Sequence, residues 1–186
     1  MTIVLASASP RRKELLARIV DEFLIVPSRR EEPVEGKPRE RVVHAASAKA
    51  RDIAERHVGV IIVADTLVIL GKEVLGKPRS RDEARRMLEA LSGREHAVVT
   101  GLCVLSTWTG AETRAAEETV VRFRDLESDE IERYLDTGEG DDKAGAYAIQ
   151  GRAGAFVDRI AGDYYNVMGL PLCRLVLMLR EVGVRV

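Results

Sequence analysis

The chain has 186 residues, and its 29 lysines and arginines nearly balance 30 acidic residues, for a formal net charge of −1. That balance argues against a general nucleic-acid or membrane-surface binder, which needs a basic excess, and leaves any anion site to a local cluster. The two cysteines, Cys103 and Cys173, are far apart and form no C-x-x-C pair, which argues against a thiol or zinc framework and fits a reducing cytoplasm. No apolar run approaches the length of a membrane span, and the first residues read as a strand rather than a signal peptide, so the expected location is cytoplasmic.

Ile3-Val4-Leu5 predicts a short buried strand, and Pro10 predicts the first position of a helix running through Val20. Ser9 stands at the N-cap position. Ser7, Ser9, Arg11 and Arg12 therefore crowd a strand-to-helix junction, where unpaired N–H groups and guanidinium forks suit phosphate oxygens. Phe23 to Val26 predicts a second strand. A charged loop from Arg29 to Pro38 follows and carries Glu31 and Glu32 just past that strand. Arg39 to Arg56 predicts an amphipathic helix with a small-residue face of Ala45, Ala46, Ala50 and Ala54, and Lys49 falls among them.

Val58 to Ala64 is the most apolar run and predicts a central strand that ends at Asp65-Thr66. A carboxylate at the end of a buried strand is held in a fixed direction, as a base or a metal ligand requires. Thr66 to Leu70 continues as a strand, turns at Gly71-Lys72 and returns through Glu73-Val74-Leu75. Lys77 is set between Gly76, a residue free to take unusual dihedrals, and Pro78. Ser80 to Glu83 forms a capping box opening a helix through Leu91, with Ala84, Met87, Leu88 and Leu91 inward.

Ala97 to Thr107 predicts a strand interrupted at Thr100-Gly101, with a turn at Trp108-Thr109-Gly110 and a returning strand from Glu117 to Phe123. Ser128 is placed as the cap of a short helix through Leu135. Residues 141–151 predict a glycine-rich loop and strand, Phe156 to Ile160 a strand, residues 162–166 a loop, and Leu172, Leu175, Val176 and Leu179 the inner face of a last helix. The pattern predicts an α/β protein with a mixed sheet, in two lobes with a cleft between them. Arg11, Arg12, Lys49 and Lys77 together with Glu32 and Asp65 form the inventory of a polyphosphate site with a divalent metal.

In series, several stretches resemble the Maf family of nucleoside triphosphate pyrophosphatases. They are Leu5-Ala-Ser-Ala-Ser-Pro-Arg-Arg-Lys-Glu-Leu-Leu16, Ala64-Asp-Thr66, Gly76-Lys-Pro78, Leu91-Ser-Gly93, Asp142-Lys-Ala-Gly-Ala-Tyr147, Ile149-Gln-Gly151 and Gly162-Asp-Tyr-Tyr-Asn-Val-Met-Gly-Leu-Pro171. The resemblance implies one domain over residues 1–186, a fold similar to that of the inosine triphosphate pyrophosphatases with a central nucleotide cleft, and a homodimer. It implies cleavage between the α and β phosphates, giving a nucleoside monophosphate and pyrophosphate, with Mg2+ or Mn2+ as cofactor.

By motif position the resemblance implies Asp65 as proton acceptor or metal ligand and Glu32 as a second metal ligand. It implies Ser7, Arg11, Lys49 and Lys77 as phosphate contacts, and Arg11, Thr66 and Gln150 as residues tied to substrate choice. Ala-Tyr-x-Ile-Gln-Gly resembles the dTTP/UTP subgroup, and the Gln150 amide can both donate and accept, as a pyrimidine reader must. Two departures stand out. Arg29-Arg30-Glu31 replaces a more acidic stretch before Glu32, and Ala148 replaces the more usual glycine. Two alternatives remain open at this point: a nucleotide-binding regulator of septum formation, and a 7-methyl-GTP pyrophosphatase.

Overall fold

The computed structural model describes residues 2–28 and 36–186. In chain order its elements are β1 (Ile3–Leu5), α1 (Pro10–Leu16), β2 (Leu24–Ile25), α2 (Pro38–Ala54), β3 (Val60–Leu70), β4 (Glu73–Leu75), α3 (Arg81–Leu91), β5 (Glu95–Ser106), β6 (Glu112–Phe123), α4 (Ser128–Leu135), β7 (Val157–Ala161), α5 (Tyr164–Met168) and α6 (Leu172–Glu181). The seven strands form one mixed sheet in the order β2-β1-β3-β5-β6-β7, with β4 paired to β3. The fold is α/β, as predicted. Among the described residues no helix is long and apolar enough to cross a membrane.

The chain divides into two compact units. The first holds Met1–Thr66, Thr100–Glu117 and Gly169–Val186; the second holds Leu67–Val99 and Glu118–Met168. In the first, β1 pairs in parallel with both β2 and β3, in the register Leu5↔Ile25 and Leu5↔Ile62. Val4, Ala6, Ile61, Val63 and Cys103 pack against Ala46, Ala50 and Ile53 of α2. The small side chains of α2 let its backbone come very close to the sheet. A Cβ on Gly101 would stand 2.3 Å from the Val42 carbonyl. Gly101 therefore does not interrupt β5, which runs unbroken from Glu95 to Ser106; glycine is what the packing demands there. In the second unit β4 returns along β3, β7 runs antiparallel to β6, and α3 buries the four residues expected of it.

Several predicted boundaries shift for local reasons. Helix α1 stops at Leu16, so Ile19 lies in the turn beyond it, and Ser9 makes no side-chain cap. β2 shrinks to two exposed residues, and Val58, 68% exposed, precedes β3 rather than belonging to it. The Ser80 hydroxyl caps α3 by accepting from Glu83 N–H, but the Glu83 carboxylate bonds Arg79 N–H, one residue before the expected partner. Glu127, not Ser128, is the N-cap of α4, in a capping box with Glu130. Residues 162–166 are not all loop, because α5 begins at Tyr164. In α6 it is Met178 that is fully buried and Val176 that is half-buried. Residues 141–151 contain a short 3-10 turn, Ala144–Ala146, and no strand.

Candidate active site

β3 is one continuous strand, so Asp65 and Thr66 lie in its middle rather than at its end. What ends here is the neighbouring strand. β1 pairs with β3 only as far as Leu5↔Ile62, and the Ala6 N–H donates to the Ile62 carbonyl as the chain turns away toward α1. Asp65 and Thr66 thus sit just beyond the carboxyl end of a parallel strand, the place where open α/β sheets hold their ligands.

Alternation along β3 then sorts the two residues to opposite faces. Ile61, Val63 and Asp65 share the face covered by α2, and there the Lys49 ammonium donates to Asp65 Oδ1 at 2.6 Å. Both side chains keep about a quarter of their surface open, at 25% and 24%. Lys49 is not a solvated residue on an alanine face; it is directed at the carboxylate. Thr66 faces the other way, where Arg12 reaches it from α1 and donates to Thr66 Oγ1 at 3.0 Å.

Arg12 is the hub of this second face. Its Nε–H donates to the Gly169 carbonyl at 2.9 Å, and a third N–H reaches Ser7 Oγ at 3.4 Å. Three of its five N–H donors are thus committed within the protein. Desolvation lowers the Arg12 guanidinium to about 10; the Asp65 carboxylate works against that shift and the Arg11 charge adds to it. Arg12 still carries its charge at neutral pH. Buried Ser7 also accepts from the Ser9 N–H at 3.2 Å, so its oxygen closes the turn ahead of α1. Ser9 keeps the N-cap position of α1 without a side-chain cap, and its own N–H is held by Ser7.

The first unit therefore brings together Ser7, Arg12, Lys49, Asp65 and Thr66, with Arg11 half-buried beside Arg12 at the start of α1. Lys77 and Gln150 belong to the second unit, where both are exposed. Gly76, before Lys77, has no positive φ and would admit a Cβ without contact, so the freedom a glycine permits there goes unused. Glu32 lies outside the described residues.

Two members of the network were not singled out from the sequence. Thr100, fully buried, shares a hydrogen bond with Thr66 at 2.9 Å, and Gly169 supplies the carbonyl for Arg12. A threonine breaking the apolar pattern of β5 was the available signal for the first. A Cβ on Gly169, at φ +103, would come within 3.4 Å of Thr66 Oγ1 and 3.5 Å of Arg12 Nε.

Among the described residues no group of three or more His, Cys, Asp or Glu side chains could hold a metal. Asp65 fits a different arrangement. Mg2+ commonly takes one or two carboxylates and completes its shell with phosphate oxygens and water. Facing such a polyphosphate, the site offers the Asp65 carboxylate with the Lys49 ammonium on one face of β3 and the Arg12 guanidinium on the other.

Comparison with known proteins places the chain in a family. The Maf-like protein family model matches residues 2–182. A dTTP/UTP pyrophosphatase of Thermococcus gammatolerans is 50% identical over 184 residues, covering 99% of this chain and 98% of that one. Those of Methanosarcina barkeri (46% over 188 residues, 99% and 95% covered) and Symbiobacterium thermophilum (50% over 184 residues, 97% and 94% covered) are similar over the same span. Among solved structures, the Staphylococcus aureus Ham1 protein superposes with a TM-score of 0.49 at 14% identity, covering 66% of this chain and 72% of that one. With nearly its whole length matched by the family model, the chain belongs to the Maf family.

Proposed function

We propose that this protein hydrolyses nucleoside triphosphates, dTTP and UTP foremost, to the nucleoside monophosphate and pyrophosphate, as housekeeping of the nucleotide pool. The observation that carries the reading is the Lys49–Asp65 pair at 2.6 Å beyond the end of β1, in a chain half-identical to dTTP/UTP pyrophosphatases over nearly its full length.

Asp65 accepts the proton of a water that attacks the α-phosphorus. The bond from that phosphorus to the α,β-bridging oxygen breaks, and its electron pair leaves with pyrophosphate. Lys49 has one N–H on Asp65 and others to offer to phosphate oxygens. Arg11, and the two N–H donors of Arg12 not committed to Ser7, Thr66 and Gly169, add positive charge. Lys77 contacts the leaving phosphates, and Gln150 reads the base. Asp65 and Glu32 would hold a divalent cation, Mg2+ or Mn2+, which when bound neutralises phosphate charge.

A cytoplasmic homodimer completes the reading; the two free cysteines support a reducing setting. A product assay with Mg2+ tests the activity, comparing dTTP, UTP, CTP, 7-methyl-GTP and dATP. Pyrophosphate with dTMP or UMP is the expected result. Nucleotide binding without turnover of any of them would favour a regulator instead, and preference for 7-methyl-GTP would move the chain to the other subgroup.

A further inference from the structure

In the second unit, the residues around Gln150 are held in place by buried aromatic groups. His96, 3% exposed, shares a 2.8 Å hydrogen bond through Nε2 with the Tyr147 hydroxyl, and its ring packs edge-on against Phe123 and Tyr147 at 5.0 and 5.4 Å. Nδ1 of His96 has no hydrogen-bond partner. One residue after Tyr147, the Ala148 N–H donates to the Tyr134 hydroxyl at 3.0 Å, and the Tyr134 ring packs on Phe156 at 5.2 Å.

Ala148 then opens a turn. The Gly151 N–H returns to the Ala148 carbonyl at 2.9 Å, which leaves Gln150 exposed at the third of the four turn positions. On the far side, Glu139 accepts from Arg152 N–H at 2.8 Å, and a Cβ on Gly151 would stand 2.1 Å from the same carboxylate oxygen. On the near side, Ala146 holds φ 58, the one positive φ of a non-glycine residue among those described. Residues take such a conformation only where their surroundings over-determine it. An exposed amide at the tip of a turn tied down at both ends is well placed for hydrogen-bond recognition, where orientation decides which partner is accepted.

We propose that Tyr134 and His96 are positioning residues for Gln150: by fixing Ala148 and Tyr147 they aim its amide and so set which base the enzyme accepts. The inference rests on Gln150 as the base-reading residue. It makes base selectivity a property of buried side chains that need not touch the nucleotide.

The test measures kcat and KM with dTTP and dATP for Tyr134→Phe, His96→Phe, Gln150→Ala and Tyr134→Phe combined with Gln150→Ala. Each Phe keeps a ring in the cluster and removes a hydrogen bond to the segment. Tyr134→Phe is expected to lower the dTTP-over-dATP ratio of kcat/KM about tenfold, chiefly through KM, the worth of roughly one net hydrogen bond. His96→Phe should act in the same direction, and it decides the matter if Tyr134→Phe does not fold. In the Gln150→Ala background Tyr134→Phe should change the ratio no further, because both act through one group. An equal further loss in that background would overturn the proposal. If Gln150→Ala alone leaves the ratio unchanged, Gln150 does not read the base and the proposal falls with that reading. A loss of kcat on both nucleotides with the ratio intact would show a merely structural role and would also overturn it.

Discussion

Lys49 and Asp65 are sixteen residues apart in the chain, yet their charged groups meet at 2.6 Å, one delivered by α2 and the other by the middle of β3. The small residues of α2 make this possible. They bring the helix backbone so close that a side chain of lysine length reaches the strand past the end of β1. Each partner is consequently aimed by packed structure rather than by a loop.

If Asp65 takes the proton of the attacking water or binds the metal, Asp65→Asn removes that function while keeping the shape of the side chain. Turnover of dTTP is expected to fall by about 100- to 10,000-fold, the usual worth of general-base catalysis. Pyrophosphate release measured against a melting curve separates lost chemistry from lost fold. Survival near the wild-type rate would remove Asp65 from both roles.

Lys49→Met keeps most of the length of the side chain and deletes its charge. Because Lys49 acts on Asp65 as well as on substrate, the two substitutions should not be additive. In a double-mutant cycle on kcat/KM, the combined Lys49→Met and Asp65→Asn protein should be about tenfold or more better than the product of the single losses. Independent losses would mean that the contact has no part in turnover.

Gly101→Ala should destabilise the protein by about 1–3 kcal/mol through overpacking, since its Cβ would meet the Val42 carbonyl at 2.3 Å. Gly76→Ala, which meets nothing and needs no positive φ, should stay within about 0.5 kcal/mol of wild type. Urea denaturation of the two proteins side by side makes the comparison.

His96 titrates low for a histidine, at about 4 against an ordinary 6.5, because burial disfavours its charged form. The unfolded chain therefore takes up this proton first as pH falls. Stability from the neutral ring is complete above pH 6.5 and is lost down to about pH 4, an effect of about 3 kcal/mol. Melting curves over that window should show His96→Phe losing less stability than wild type on acidification. Parallel curves would contradict the assignment.

Between α3 and α4, Glu132 accepts from Arg85 and from Arg81, the latter at 2.9 Å, and these bonds draw its carboxyl down to about 2. The sign is that of a depressed acid: the ties are fully present above its ordinary value of 4.5 and vanish as pH falls toward 2. Glu132→Gln should therefore lower the melting temperature at neutral pH and converge with wild type in acid. Added salt should shrink the difference, because the pair is exposed.

By itself the sequence determined the elements whose cause is local. Pro10 marked the start of α1, Ser80 capped α3, and the apolar spacing of Ala84, Met87, Leu88 and Leu91 named its buried face, since each depends on neighbours within a turn or two. The motif series also marked Asp65, Thr66 and Arg12 as belonging to one kind of site. Only the tertiary structure decided how they meet. β3 runs through Asp65 because β4 and β5 continue the pairing that β1 abandons at Leu5, and strand ends are set by partners distant in the chain. Gly169 joined the Arg12 network, and Thr100 joined it through Thr66, for the same reason: a guanidinium and a hydroxyl have hydrogen bonds to satisfy, and which distant oxygens satisfy them is settled by packing. Gly101 read as a break in a strand because its true constraint, the backbone of α2 against its α-carbon, leaves no trace in the residues beside it.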